Sequence, residues 1–581
     1  MKEIVFAGLI LTIGIIFEKN KNSIYSSIYS IYKNISKFYQ LTDQNKKKEK
    51  NEDELAISFY EEKNIVDKKK LTIAIDFGNY ESGFSYTFDN DINSIRFGKN
   101  QPTIITLTKN NHKKNNYGKT TFNSIIYYSE EEKNKVIYLN NLKLNLLKEN
   151  KSEKKFTSFN NKAVIEYLSA FSEGALEEIN QFRLEEEKYI KEEVDWIITA
   201  PGMWDEFRKL LLIDCARKSG LKNINLALES EAASLAYSTD DTIKKEKGEI
   251  FMSVDLGQYK VDISINELLE DGQSIKQLSS PLGKELGSMN INNDILKEIN
   301  KIVFNDNIFI LDYIKDINNA KILQEIENLK NSFSFCENEE VIININNLRM
   351  DKIYQASSEM KIVKYKNYSI KIDNRNIYLP SELINNIILK SVNELVDYIK
   401  NIIKENNKEF KISHILLSGG FSNNKILRSE FKKKIKNIKF FFLANEKYSV
   451  MRGAIIYQIN PNLIQVRKHK YIYGFENFDR TNNRKFIVKI NQKEMTSKND
   501  IIQKNITSIS PFQDTIYFKI FRTEDESFDS KQYIGTIFLN ITKFKKYKIK
   551  IKLETVFHLT TYLKIYANER ISNKTINGFL S

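Results

Sequence analysis

The sequence predicts an α/β protein of several lobes. Its 581 residues exceed one domain at about 150 residues each, and 41% hydrophobic with 12% aromatic content can fill a large core. Two stretches, around Asp76 and Asp255, repeat the order apolar strand, acidic turn, strand. A third, around Gly419, runs from an apolar strand through paired glycines into an amphipathic helix. Disorder of the chain as a whole is excluded by that apolar content.

Residues 4–17, IVFAGLILTIGIIF, form an uncharged run shorter than the about 20 residues that span a bilayer as a helix. Glu3 follows Lys2 and no small-x-small cleavage site stands behind Phe17, so a signal peptide fits poorly. Residues 23–39 suit an interfacial helix, which leaves two readings of residues 4–39: membrane contact, or a buried tail. Residues 41–70, rich in Lys, Glu, Asp and Asn, read as a solvated linker. The folded part is expected to begin near Leu71.

LTIAID, ending at Asp76, is followed by Gly78 and an alternating second strand; IFMSVDLGQYKVDISI repeats the unit with Asp255, Gly257 and Asp262. A carboxylate at a strand end beside a glycine turn can hold a hydrated divalent cation while turn N–H groups face a phosphate tail. One such hairpin is commonplace. Two, followed by HILLSGGFSNNKILRSEFKKKI with Gly419 and Gly420 between strand and helix, are specific, because paired glycines let backbone approach a ligand. Between the hairpins lie a strand broken by Pro201 and Gly202, a helix from about Trp204 to Ser219, and a strand ending at Glu229 before a small-residue helix. A glutamate there can order water or simply stabilise the helix dipole.

Other function classes recede. Cys215 and Cys336 offer neither a disulfide framework nor a zinc site, and a reducing, cytoplasmic compartment is expected. The net charge of +14 is spread over the chain, and KFKKYKIKIK reads as a strand with one lysine face, so no nucleic acid partner is expected.

In their order, AIDFGNYESGFSYTF, ITAPGMWDE, LESEAASLAY, VDLGQYKVDI, LLSGGFSNN and VMRGAIIYQINPNLI resemble the motifs of the actin and sugar-kinase superfamily of ATPases. Within it, they resemble the 70-kDa heat-shock protein family, in its divergent 12A/12B-like branch, over about residues 71–470. The resemblance implies a two-lobed actin-like ATPase of duplicated ribonuclease H-like βββαβαβα sheets, with ATP or ADP and Mg2+ in the cleft. It places the lobes at residues 71–248, with an inserted subdomain near 101–160, and at 249–461. A β-rich C-terminal region follows at 462–581, without an obvious helical lid.

By motif position, Asp76 and Asp255 would hold magnesium through water, Glu229 would order water, and Lys143 would face phosphate. Gly78, Asn79 and Tyr80 with Gly257, Gln258, Tyr259 and Lys260 would form the phosphate turns, and Pro201 would be the hinge-coupled switch. Gly419 and Gly420 would pack near the adenosine, and Glu327, Lys330 and Ser334 would belong to the adenine-contacting helix, where Asn331 replaces an arginine. Two departures bear on catalysis. Asn79 and Tyr80 stand for threonines, and Gln258, Tyr259 and Lys260 for Gly-Gly-Thr. Bulky residues at turn positions with φ > 0 carry a steric penalty, and a tyrosine there would fill phosphate space, while Lys260 offers a compensating charge. Three functions stay open: an ATP-binding chaperone-like protein with weak hydrolysis and an unknown client or partner, a nucleotide-blind scaffold, and a small-molecule kinase on the same fold.

Overall fold

The computed structural model describes residues 68–108, 116–128, 130–146, 154–304, 320–336, 339–345, 360–373, 375–442 and 448–468, then the strands of a C-terminal region up to residue 568. The expectations for residues 4–39 and for the linker up to residue 67 lie outside the described residues. Among the described residues no helix is long and apolar enough to cross a membrane. All the elements below belong to the unit Lys69–Ser581.

The first sheet is built on Leu71–Asp76, antiparallel to Glu81–Phe88 and parallel to Asp195–Ala200. Leu71 to Ile75 are all buried, as a central strand covered on both faces requires, which is why it reads as a continuous apolar run. Its strand order is Arg96–Phe97, Glu81–Phe88, Leu71–Asp76, Asp195–Ala200, Asn223–Leu228. The second sheet repeats that order with Ile275–Gln277, Val261–Leu268, Ile250–Leu256, His414–Ser418 and Lys439–Phe442. In each sheet the hairpin pair is antiparallel and the next two strands are parallel to its first strand. The fold is therefore the expected duplicated α/β one, an actin-like ATPase architecture.

Two helices lie between the sheets. Glu229–Ser238 is buried at every residue, and Ser449–Ile459 packs against it. Small residues make this possible: a side chain at Gly453 would start 1.7 Å from the Ala232 carbonyl oxygen. Ala74 and Ile197 of the first sheet and Phe251 and Leu416 of the second join one apolar cluster with Val450, Ala454 and Ile455. Each fully buried Ile or Leu there contributes roughly 1.5–3 kcal/mol. The lobes thus share a floor, and the opening above it is the site.

A three-stranded sheet of Asn116–Tyr117, Ile105–Thr108 and Val136–Leu139 is inserted after the first hairpin, and the short helix Leu142–Asn145 follows it. The second lobe carries a four-stranded sheet and the helices Met289–Phe304, Ala320–Ser332 and Ser381–Asn406. Its main sheet continues past residue 461: Ile464–Lys468 runs parallel to Ile275–Gln277 and is pinned there by Arg467, whose buried guanidinium donates to Glu231 at 3.3 Å. Beyond it stand a four-stranded antiparallel sheet and a three-stranded one, whose central strand, Lys546–Leu553, overlaps the lysine-alternating stretch.

Candidate functional site: a cleft between two acidic hairpins

Both hairpins turn at the same opening. In the second, Asp255 and Asp262 are direct cross-strand partners, and the Gly257 N–H donates to the Lys260 carbonyl at 3.0 Å. The other turn carbonyls are held by the residues that lead into the Met289–Phe304 helix and by its first residue. The N–H groups of Ser288, Met289 and Gly287 donate to Gly257, Gln258 and Tyr259 at 3.3, 2.7 and 3.1 Å. The residues leading into this helix thus spend three donors on turn carbonyls, and the side chains of the turn reach the cleft beside them. Neither turn contains a non-glycine residue with positive φ. The expected backbone penalty at Asn79, Tyr80, Gln258, Tyr259 and Lys260 is therefore absent, because each of these residues accommodates its side chain without left-handed backbone. Tyr80 and Tyr259 do line the cleft, so the expectation that a tyrosine occupies ligand space bears on their side chains alone.

The cleft measures about 450 Å³. Asp76, Gly78, Lys143, Pro201, Glu229, Asp255, Gly257, Gly419 and Gly420 all reach it, together with both sets of turn side chains and Glu327. Asp76 accepts from the Thr199 hydroxyl at 2.7 Å, and Asp255 from the Ser418 hydroxyl at 3.0 Å. Lys143, from the short helix after the inserted sheet, is ion-paired to Glu229, and both are buried. Asp262, only 2% exposed, accepts the Met203 N–H at 3.4 Å.

Charge at this end is unbalanced, with Asp76, Glu229, Asp255 and Asp262 facing Lys143 and Lys260. Burial, then the neighbouring Asp76 and Asp262, push the Asp255 carboxyl up to about 7. Burial also raises Asp262 above the usual range, against the pull of Lys260 and Lys143. Glu229 is raised by burial even beside Lys143, because one ammonium is shared among several carboxyls. Burial alone would lower Lys143, but Glu229 and Asp76 hold its ammonium above the ordinary lysine range.

The other end is shaped by Gly419, whose φ of 83° belongs to glycine and whose added side chain would start 2.5 Å from the Leu256 carbonyl oxygen. Glu327 accepts from Asn292 at 2.7 Å and from Lys330 at 2.6 Å, and Lys330 also donates to Ser288 at 2.9 Å. Lys330 thus stands behind the wall and fixes Glu327, while Asn331 lines the cleft itself. Ser334 is not brought in. It lies past the end of the Ala320–Ser332 helix, exposed, 3.1 Å from the Lys425 ammonium.

The residues fit a polyphosphate and a hydrated cation. A surplus of carboxyls attracts a divalent ion, and among the described residues no three acidic, His or Cys side chains cluster as a cage, which suits contact through water. The amide oxygens of Asn79 and Gln258, one in each turn, are buried without a hydrogen-bond partner, as expected of groups that serve a ligand or its water shell. Sequence reasoning passed over Asp262 and Trp204 as site residues. The first had a signal in its equal distance from the hairpin turn opposite Asp255; the second, beside the Pro201 break, had none.

The sequence profile described as Hsp70 protein matches residues 126–396. Heat shock 70 kDa protein 12A of Mus musculus and of Homo sapiens are each 19% identical over 486 residues, covering 70% of this chain and 71% of theirs. Chaperone protein DnaK of Elusimicrobium minutum is 29% identical over 144 residues, 25% of this chain and 22% of its own.

Proposed function

As the chain is a divergent relative of the 70-kDa heat-shock proteins, of the 12A-like branch, we propose that it binds ATP with magnesium in the interlobe cleft. Its lobes close on the nucleotide and change a surface offered to a partner protein, with weak or slow hydrolysis. The observation that carries this reading is the convergence of two acidic turns, a lysine from each lobe and the Gly419–Gly420 turn on one opening. Closure follows if the nucleotide binds the closed arrangement more tightly than the open one.

In this reading Gly419 and Gly420 admit the adenosine, and Glu327 and Asn331 flank it. Asp76, held by Thr199, and Asp255, held by Ser418, would hold the hydrated magnesium, which when bound would supply charge screening and polarisation at the terminal phosphoryl group. Glu229 and Lys143 position water and phosphate oxygen, and slow chemistry fits a phosphate turn that carries Gln258, Tyr259 and Lys260 in the cleft wall.

The test is calorimetric titration of the full chain with ATP and magnesium. Binding is expected in the wild type and lost in Asp255→Ala, with phosphate release measured alongside. A second reading, a scaffold indifferent to nucleotide, is favoured by Tyr80 and Tyr259 in the cleft wall. Absence of binding at millimolar ATP would decide for it.

A further inference from the structure

We propose that Lys260 is the second lobe's contact to the terminal phosphate, so that it distinguishes a nucleoside triphosphate from a diphosphate. The inference rests on the nucleotide reading above and adds to it a residue and a discrimination.

Lysines reach the cleft from both lobes, Lys143 from the first and Lys260 from the second. They are not equivalent. The Lys143 ammonium is committed to Glu229 by a buried ion pair, whereas Lys260, half-buried in the turn, has no ion pair among the described residues. Its ammonium stands 6.0 Å from the Tyr259 ring centroid, so the ring supports the side chain along the cleft wall. Lys260 shares Asp262 and Glu229 with Lys143 as charged neighbours, which puts it at the acid-rich end rather than beside Glu327 and Asn331. One backbone donor of that turn is already spent, the Gly257 N–H on the Lys260 carbonyl, and the N–H groups of Gly287, Ser288 and Met289 are bound to the other turn carbonyls. A terminal phosphate arriving there meets an ammonium, beside the Gln258 amide oxygen, which has no partner and can accept from the phosphate's water shell. A lysine is suited to this as a point charge with rotatable donors that follows the phosphate as the lobes close.

The experiment titrates the full chain, wild type, Lys260→Ala and Lys260→Arg, with magnesium ATP and magnesium ADP. A charged hydrogen bond removed by Lys260→Ala should weaken ATP binding by about ten-fold or more, with ADP changed less than about three-fold and Lys260→Arg retaining most ATP affinity. Melting without nucleotide checks that the variant is folded, and Lys260→Gln replaces it if it is not. Unchanged ATP affinity, or equal losses for ATP and ADP, overturns the inference. If Asp255→Ala abolishes binding while Lys260→Ala does nothing, the nucleotide reading stands and the inference alone falls. If the wild type binds neither nucleotide, both fall.

Discussion

A carboxyl that must be ionised to attract a cation, yet is held protonated by its surroundings, makes the site sensitive to pH. Asp255 is raised to about 7 by burial, Asp76 and Asp262, and Glu229 is raised as well. An unfolded chain releases the Asp255 proton near pH 4, whereas the fold keeps it until near pH 7. Stability of the free protein is therefore full below the unfolded value and falls as pH rises through that window. Magnesium-nucleotide affinity should move the other way, rising from pH 6 to 8. Melting curves and titrations across this range check both, and Asp255→Asn should flatten the melting slope. Several of these residues were legible in sequence, since an acid, one residue and a glycine at a strand end mark a turn whatever surrounds them. Ser334 was misplaced because two residues past a helix end the chain has already left the face that Glu327 occupies. The misjudged strain at Gln258 to Lys260 arose because turn length and φ depend on the Gly257 to Lys260 hydrogen bond, which composition does not reveal.

At the scale of elements, both hairpins, the Glu229 helix and the Gly419 turn were readable from apolar runs and punctuating glycines. What the period of a pattern cannot convey is how closely two helices approach. The contact of Ser449–Ile459 with Glu229–Ser238 depends on Gly453, opposite backbone that cannot swing aside. Gly453→Leu should cost about 3 kcal/mol in denaturant unfolding, at the upper end of overpacking effects. Gly420→Ala is the control: a side chain there meets nothing within 4 Å, and its effect on stability should stay within about 0.5 kcal/mol. Equal effects at the two positions would mean that the helices are not packed this closely. The same helix carries Glu229 toward the cleft and Glu231 toward Arg467, so loosening it should disturb the cleft and the added C-terminal strand together.

The whole molecule repeats one strand order in two sheets, and this duplication was implied by the ordered motifs rather than by any periodicity, because the two halves share little beyond their acidic turns. The extension of the second sheet by Ile464–Lys468 was not legible, since a short polar-apolar strand does not declare its partner. The proposed lobe closure has a built-in reporter. The chain has two tryptophans: Trp196 is fully buried, with its N–H bound to the Lys191 carbonyl at 2.9 Å, whereas Trp204 lines the cleft with the Lys143 ammonium 5.7 Å from its ring. ATP should change the tryptophan emission of the wild type and leave Trp204→Phe silent. A change that survives in Trp204→Phe would place the motion elsewhere.

The attachment of the Gln258 turn to the Met289–Phe304 helix has a mechanical consequence. Three peptide hydrogen bonds join the turn to Gly287, Ser288 and Met289, the last of them the first residue of a 16-residue rod roughly 24 Å long, so turn and rod move as one lever whose short arm lies in the cleft. A tilt of roughly 3° where a phosphate lands displaces the far end by roughly 1 Å. Phe304 would then register the occupancy of a site it never touches.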